Sequence, residues 1–156
     1  MDLKLNNKNA LVCGSTQGIG KATAMLLAAE GVNITLCARN EERLKQVLDE
    51  LPSRRNHNYI VADFSNPQDL QEKVSDFISK NNGIDVVIAN AGISGKVDLE
   101  CGSSQETNRM LATNILGVSN TVLPTIPTMS KQGSGKVVVI SSIAGFRALP
   151  GRSSYS

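Results

Sequence analysis

The sequence predicts an α/β protein built on a doubly wound parallel sheet with helices on both faces and strands ordered 3-2-1-4-5. Three observations carry that expectation. Five short apolar runs of strand length alternate with longer helical segments. The runs are continuously apolar rather than alternating, as strands covered on both faces are. The connections are long enough for right-handed crossovers between parallel neighbours.

In chain order, the first run is Ala10-Leu11-Val12-Cys13, followed by a glycine-rich stretch and a helix expected over Lys21 to Glu30. That helix is rich in Ala and Leu, and Gly31 supplies its stop. The second run, Ile34-Thr35-Leu36-Cys37, precedes a helix from Glu41 to Leu51 that ends before Pro52. The third, Tyr59-Ile60-Val61, precedes a helix from Pro67 to Lys80 with Asn66 as its cap. Proline in a first turn is harmless, because the N–H it lacks would have no partner there. The fourth run, Val86-Val87-Ile88-Ala89, leads to a long helical segment from about Gln105 to Met129. Pro124 and Pro127 cannot donate an interior hydrogen bond and would kink or end that helix; an early finish is the preferred expectation. Gly133-Ser134-Gly135 then reads as a turn before the fifth run, Val137-Val138-Val139-Ile140.

Composition narrows the class. A chain of 156 residues with 40% hydrophobic and 19% charged residues can bury one core, so one domain is expected. Its 16 basic and 14 acidic residues are scattered, with no cationic block to track nucleic acid or an anionic membrane. Cys13, Cys37 and Cys101 are odd in number and lack metal-binding spacing. They read as small buried residues or free thiols in a reducing compartment, which implies a cytoplasmic protein and no metal site. The amino terminus, Met1-Asp2-Leu3-Lys4-Leu5, carries no apolar stretch of signal-peptide length, and no run anywhere approaches the roughly 18 apolar residues of a membrane span.

The stretch after the first strand reads Cys13-Gly14-Ser15-Thr16-Gln17-Gly18-Ile19-Gly20. Glycines at a strand-to-helix junction let the backbone turn tightly and approach a pyrophosphate, which then faces the free N–H groups of the helix start. A Walker-type phosphate loop fails because position 19 is Ile and Gly20-Lys21 is followed by Ala22. The Gly-x-Gly-x-x-Gly spacing fails because three residues separate Gly14 from Gly18.

The spacing that fits, Gly-x-x-x-Gly-x-Gly, resembles that of the short-chain dehydrogenase/reductase family, with Cys13 where the family usually has Thr. Further motifs follow in order. Ala89-Asn90-Ala91-Gly92 is similar to the family's Asn-Asn-Ala-Gly, and Asn114 stands in Thr113-Asn114-Ile115-Leu116-Gly117. Ile140-Ser141-Ser142 and Tyr155, thirteen positions after Ser142, complete the pattern. Alone, each also has a plain reading: Asn90 to Gly92 a strand-end turn, Asn114 a solvated helical residue, Ser142 a turn former. The resemblance implies a Rossmann-type fold and a dinucleotide held by Gly14, Ser15, Gln17, Gly18, Ile19, Gly20, Asn90, Ala91, Gly92 and Tyr155.

At the end of the second strand the chain reads Leu36-Cys37-Ala38-Arg39-Asn40, without a carboxylate. An acid there binds a ribose 2′-hydroxyl, whereas an arginine accommodates a 2′-phosphate, so NADP(H) is expected over NAD(H). Arg39 could instead flank or cap the next helix, and Gln17 is neutral where many NADP-preferring relatives carry a base. Asp63 stands where family members contact adenine, or it caps a turn.

By resemblance, the enzyme transfers hydride between the nicotinamide and a carbonyl or alcohol carbon of a small molecule. Tyr155 exchanges the proton, Ser142 binds the substrate oxygen and Asn114 supports a water relay. A phenol with an ordinary pKa near 10 is a poor base at neutral pH, and in the family a lysine four residues after the tyrosine stabilises its anion. The chain ends at Ser156. It is therefore expected to be the amino-terminal part of a homo-oligomeric enzyme, cut before the last strands, with a bare fifth strand. Little turnover and weak dinucleotide affinity are expected of the isolated chain; a non-catalytic nucleotide-binding module is the alternative. The walls of a substrate pocket are sought in Ile93 to Ser104 and Phe146 to Arg152, including Phe146 and Leu149. His57, among Arg55, Asn56 and Asn58, reads as a surface-loop residue.

Overall fold

Strands β1 (Asn9–Cys13), β2 (Asn33–Ala38), β3 (Asn58–Val61), β4 (Val86–Ala89) and β5 (Lys136–Val139) form one parallel sheet ordered β3-β2-β1-β4-β5. The structure is a computed structural model that describes residues 3–52, 56–95, 104–147 and 155. Cys101, Leu149, Pro150 and most of the expected pocket-wall segments lie outside those residues. Helices α1 (Gly18–Ala29), α2 (Glu41–Glu50) and α3 (Pro67–Lys80) make the first crossovers. Asn40 Oδ1 accepts the Arg43 N–H at 2.9 Å to cap α2, and Asn66 Oδ1 accepts the Asp69 N–H at 3.2 Å to cap α3.

Successive strand residues point to opposite faces, and each face has its own core. Ala10, Val12, Ile34, Leu36, Val86 and Ile88 pack with Ala24 and Ala28 of α1 and Leu44 and Val47 of α2. Leu11, Cys13, Cys37 and Val87 pack with Leu70, Val74 and Phe77 of α3. Cys13 and Cys37 are cross-strand neighbours, both buried and free. A hydrogen bond with Cys13, then burial, pushes the Cys37 thiol well above its usual pKa.

The segment after β4 departs from expectation. It does not finish early but runs through α4 (Gln105–Leu111), a π-helical turn (Ala112–Leu116), α5 (Gly117–Val122), a 3-10 turn (Leu123–Thr125) and α6 (Ile126–Gln132). Each proline falls in the first turn of a new piece, Pro124 in the 3-10 turn and Pro127 in α6. The missing N–H groups are therefore absorbed at restarts rather than in a helix interior. Gln132 at the far end replaces strand pairing with its side chain. Its Oε1 accepts the Ile84 N–H at 3.1 Å and its Nε2 donates to the Ile84 carbonyl at 2.9 Å.

The amino-terminal ends of the strands are joined by polar side chains. Asp85 accepts from Lys8 Nζ and from the Asn9 N–H, both at 2.9 Å. His57 lies outside any strand, just before β3, as a loop residue should, but it is partly buried, and its Nδ1 accepts the Ile34 N–H of β2 at 3.1 Å. Among the described residues β5 is the outermost strand on its side of the sheet, with Val137, Val138 and Val139 between 38% and 49% exposed. Among the described residues, no helix is long and apolar enough to cross a membrane.

Candidate functional site

From β1 the chain winds towards β2 and β3, and from β4 it winds the other way to β5, leaving a crevice at the carboxyl ends of β1 and β4. The loop after β1 occupies it. Gly14 has φ +65, and a Cβ there would stand 2.9 Å from the Ala91 Cα. Gly20, buried in the first turn of α1, leaves no room for a Cβ either. Such an atom would overlap the Gly14 carbonyl oxygen and lie 2.5 Å from Asn90 Nδ2.

Three neighbours pin this loop. The Gly14 N–H donates to the Cys37 carbonyl at 2.8 Å. Asn90 Nδ2 donates to the carbonyls of Cys13 and Gly14, both at 3.2 Å. Ser15 is fully buried, and its Oγ accepts the Cys37 N–H at 3.0 Å, so its side chain serves the loop from below. Gln17, Gly18 and Ile19 remain exposed on the open side. The twelve-residue α1 has no acidic residue in its first turn, so its positive end faces the crevice uncompensated.

One cavity of about 400 Å³ and another of about 350 Å³ meet here, sharing Ile19, Asn90, Ala91, Gly92 and Ile93. The smaller is walled by Gly14, Gln17, Gly18, Arg39, Asn40 and Arg43. Arg39 flanks α2 rather than capping it, since Asn40 is the cap. Arg43, not singled out from sequence, turns its Nη1 towards Gln17 Oε1 at 3.5 Å. Asp63 caps a turn: its Oδ1 accepts from the Ser65 N–H at 3.0 Å and from Ser65 Oγ at 2.8 Å. The Ser65 N–H is the main cause that holds its carboxyl below the usual range, with Arg39 adding a smaller contribution.

The larger cavity brings Asn114, Ser142 and Tyr155 together with Ile93, Ser94 and Val118. Asn114 sits in the π-helical turn and is not a solvated residue. Its Nδ2 donates to the Ile93 carbonyl and its Oδ1 accepts the Ile93 N–H, both at 2.8 Å. The wall between the cavities is thereby tied to the long helix. Ser142 follows β5, and its Oγ accepts the Ala144 N–H at 3.2 Å. A hydroxyl so engaged keeps its own hydrogen for another acceptor. Phe146 is 95% exposed and does not line the cavity, whereas Gly145 does. Among the described residues, no group of three or more His, Cys, Asp and Glu side chains could hold a metal.

Comparisons with known proteins extend this picture. The short chain dehydrogenase family profile matches residues 8–156. An uncharacterised oxidoreductase of Listeria monocytogenes is 31% identical over 98% of the chain, which spans 62% of that protein. A 3-oxoacyl-acyl-carrier-protein reductase of Staphylococcus epidermidis is 30% identical over 96% of the chain and 62% of its own length. Among solved structures, an alcohol dehydrogenase from the archaeon Thermococcus sibiricus, complexed with 5-hydroxy-NADP, superposes with a TM-score of 0.88. It is 30% identical, and the match covers 96% of this chain and 64% of that one.

Proposed function

The chain belongs to the short chain dehydrogenase family, and we propose that the protein is an NADP(H)-dependent oxidoreductase acting on a carbonyl or alcohol carbon of a small molecule. The carrying observation is one continuous crevice. Asn114, Ser142 and Tyr155, from three separate parts of the chain, wall a cavity that shares Asn90 to Ile93 with the cavity over the glycine loop. Residues 1–156 are read as one dinucleotide-binding domain of a cytoplasmic, homo-oligomeric protein.

The residues fit a dinucleotide. Gly14 and Gly20 leave bare backbone where a Cβ would collide, and the N–H groups of α1 face that space. Gly14, Gln17, Gly18, Ile19 and Gly20 would hold the pyrophosphate, with Ser15 and Asn90 bracing the loop. Asn90, Ala91 and Gly92 would lie along the bound molecule between the two cavities. Arg39, without a carboxylate at the end of β2, favours a 2′-phosphate over a free 2′-hydroxyl. The Thermococcus enzyme's 5-hydroxy-NADP complex supports that preference. Asp63 stays a turn cap that can edge the adenine. When bound, the nicotinamide supplies or accepts the hydride.

The protein's own groups manage the proton. Ser142 donates its free hydroxyl hydrogen to the substrate oxygen, and Tyr155 gives that oxygen a proton or takes one from it. Asn114 holds Ile93 and the helix turn in place, so its support of a proton relay acts through that geometry. Turnover of ketones by the full-length protein with NADPH tests the reading. Tyr155→Phe should lower kcat at least about 100-fold, the lower range for losing a proton-transfer group, and weaken NADPH binding far less, since the glycine loop and Asn90 to Gly92 still hold the dinucleotide. A Tyr155→Phe enzyme with unaltered kcat overturns it.

A further inference from the structure

We propose that Arg43, reaching from α2 to the glycine loop, is the second cation of the subsite for the 2′-phosphate and a determinant of dinucleotide choice. The inference rests on the NADP(H) reading above and adds a residue to it.

A phosphate monoester carries nearly two negative charges at neutral pH, more than one guanidinium balances. Arg39 and Arg43 wall the same cavity as Gly14 and Gln17. Six other basic side chains, including Lys21, Lys45 and Arg109, are held in ion pairs with carboxylates. Among the described residues neither Arg39 nor Arg43 is in a contact ion pair, although Arg39 also acts on the Asp63 carboxylate from a distance, so neither guanidinium has its donors taken up by a carboxylate.

Arg43 is also positioned. Its N–H is fixed by the Asn40 cap at 2.9 Å, and its Nη1 lies 3.5 Å from Gln17 Oε1, across 26 positions of sequence. The neighbouring acid Glu41 is drawn away, its Oε1 bound to Lys45 Nζ and the Tyr59 hydroxyl, both at 2.9 Å. Loop position 17 is neutral, and the Arg43 fork brings to that place the charge that a basic residue at 17 would carry. A planar fork held at one nitrogen keeps other N–H donors for phosphate oxygens.

The test uses the full-length protein and two probes that differ only in the 2′-phosphate: adenosine 2′,5′-bisphosphate and 5′-AMP, titrated by calorimetry. The wild type should prefer the bisphosphate. Arg43→Ala should weaken the bisphosphate about tenfold, the usual effect of losing one charge-assisted bond, and leave 5′-AMP within about twofold. Retained 5′-AMP affinity reports an intact fold. Adding Gln17→Lys to Arg43→Ala should restore most of the loss, while Gln17→Lys alone should gain less. If Arg43→Ala binds the bisphosphate as the wild type does and Arg39→Ala abolishes the preference, the Arg43 assignment fails and the NADP(H) reading stands. If the wild type does not distinguish the probes, the NADP(H) reading itself fails, and this inference with it.

Discussion

Replacing Gly20 with alanine sets helix propensity against packing. On propensity alone the change should help, because alanine exceeds glycine by about 1 kcal/mol in a helix. The site opposes it. The new Cβ would overlap the Gly14 carbonyl oxygen and stand 2.5 Å from Asn90 Nδ2. Gly14 cannot retreat easily, since its N–H is bound to the Cys37 carbonyl at 2.8 Å. Overfilling a packed position costs about 1–3 kcal/mol. Pushing the Asn90 amide aside forfeits its bonds to Cys13 and Gly14, at about 0.5–1.5 kcal/mol each. With the propensity gain subtracted, the expected destabilisation is about 3 kcal/mol. Urea unfolding of the full-length protein at fixed concentration reads it as a fallen midpoint with an unchanged slope. Asn90→Ala removes the bonds alone and one of the obstacles, so the double substitution should cost less than the two single ones together. A Gly20→Ala protein with an unchanged or raised midpoint would refute the idea that contact with Gly14 and Asn90 sets this loop.

Three other outcomes follow from the same geometry. Gln132→Ala unties both backbone groups of Ile84 and should cost about 1–3 kcal/mol in urea unfolding; because Ile84 lies at the opposite end of β4, the NADPH dissociation constant should not change. Asp63 has a folded pKa below its unfolded value, so its stabilisation is complete above about pH 4 and disappears as pH falls through the folded value. Asp63→Asn should therefore flatten part of the acid limb of the stability profile, and superimposable limbs would contradict the cap. Cys37, raised by its bond with Cys13 and by burial, should resist iodoacetamide in the native protein near pH 8 and react on denaturation; fast native labelling would contradict the buried pair.

The sheet could be read from the letters because its signals are local. Continuous apolar runs marked the strands, and Gly31 and Asn66 marked helix ends where the structure has them. The glycine spacing was readable for the same reason, since every member of the loop lies within seven consecutive positions, Gly14 to Gly20. What depended on distant partners was not. The π-helical turn at Asn114 is secured by Ile93, 21 positions earlier, and nothing near Asn114 in sequence announces it. Arg43 earns its place through Gln17, 26 positions away. His57 is a loop residue, as its polar neighbours suggested, but its bond to the Ile34 N–H of an adjacent strand, 23 positions away, could not be read from them. Pro124 and Pro127 suggested a helix end, yet both sit where a new turn begins; beside Pro124, the Thr125 hydroxyl donates to the Val122 carbonyl at 2.7 Å.

The most direct test of the crevice as the dinucleotide site is an amide chemical-shift titration of the full-length protein with NADPH. Shifts should concentrate at Gly14, Gln17 to Gly20, Arg39 and Asn90 to Ile93, and leave Ile84 and Tyr59 nearly still. Saturation with no shifts at those residues, or shifts centred on the β3 edge, would place the nucleotide elsewhere and contradict the account.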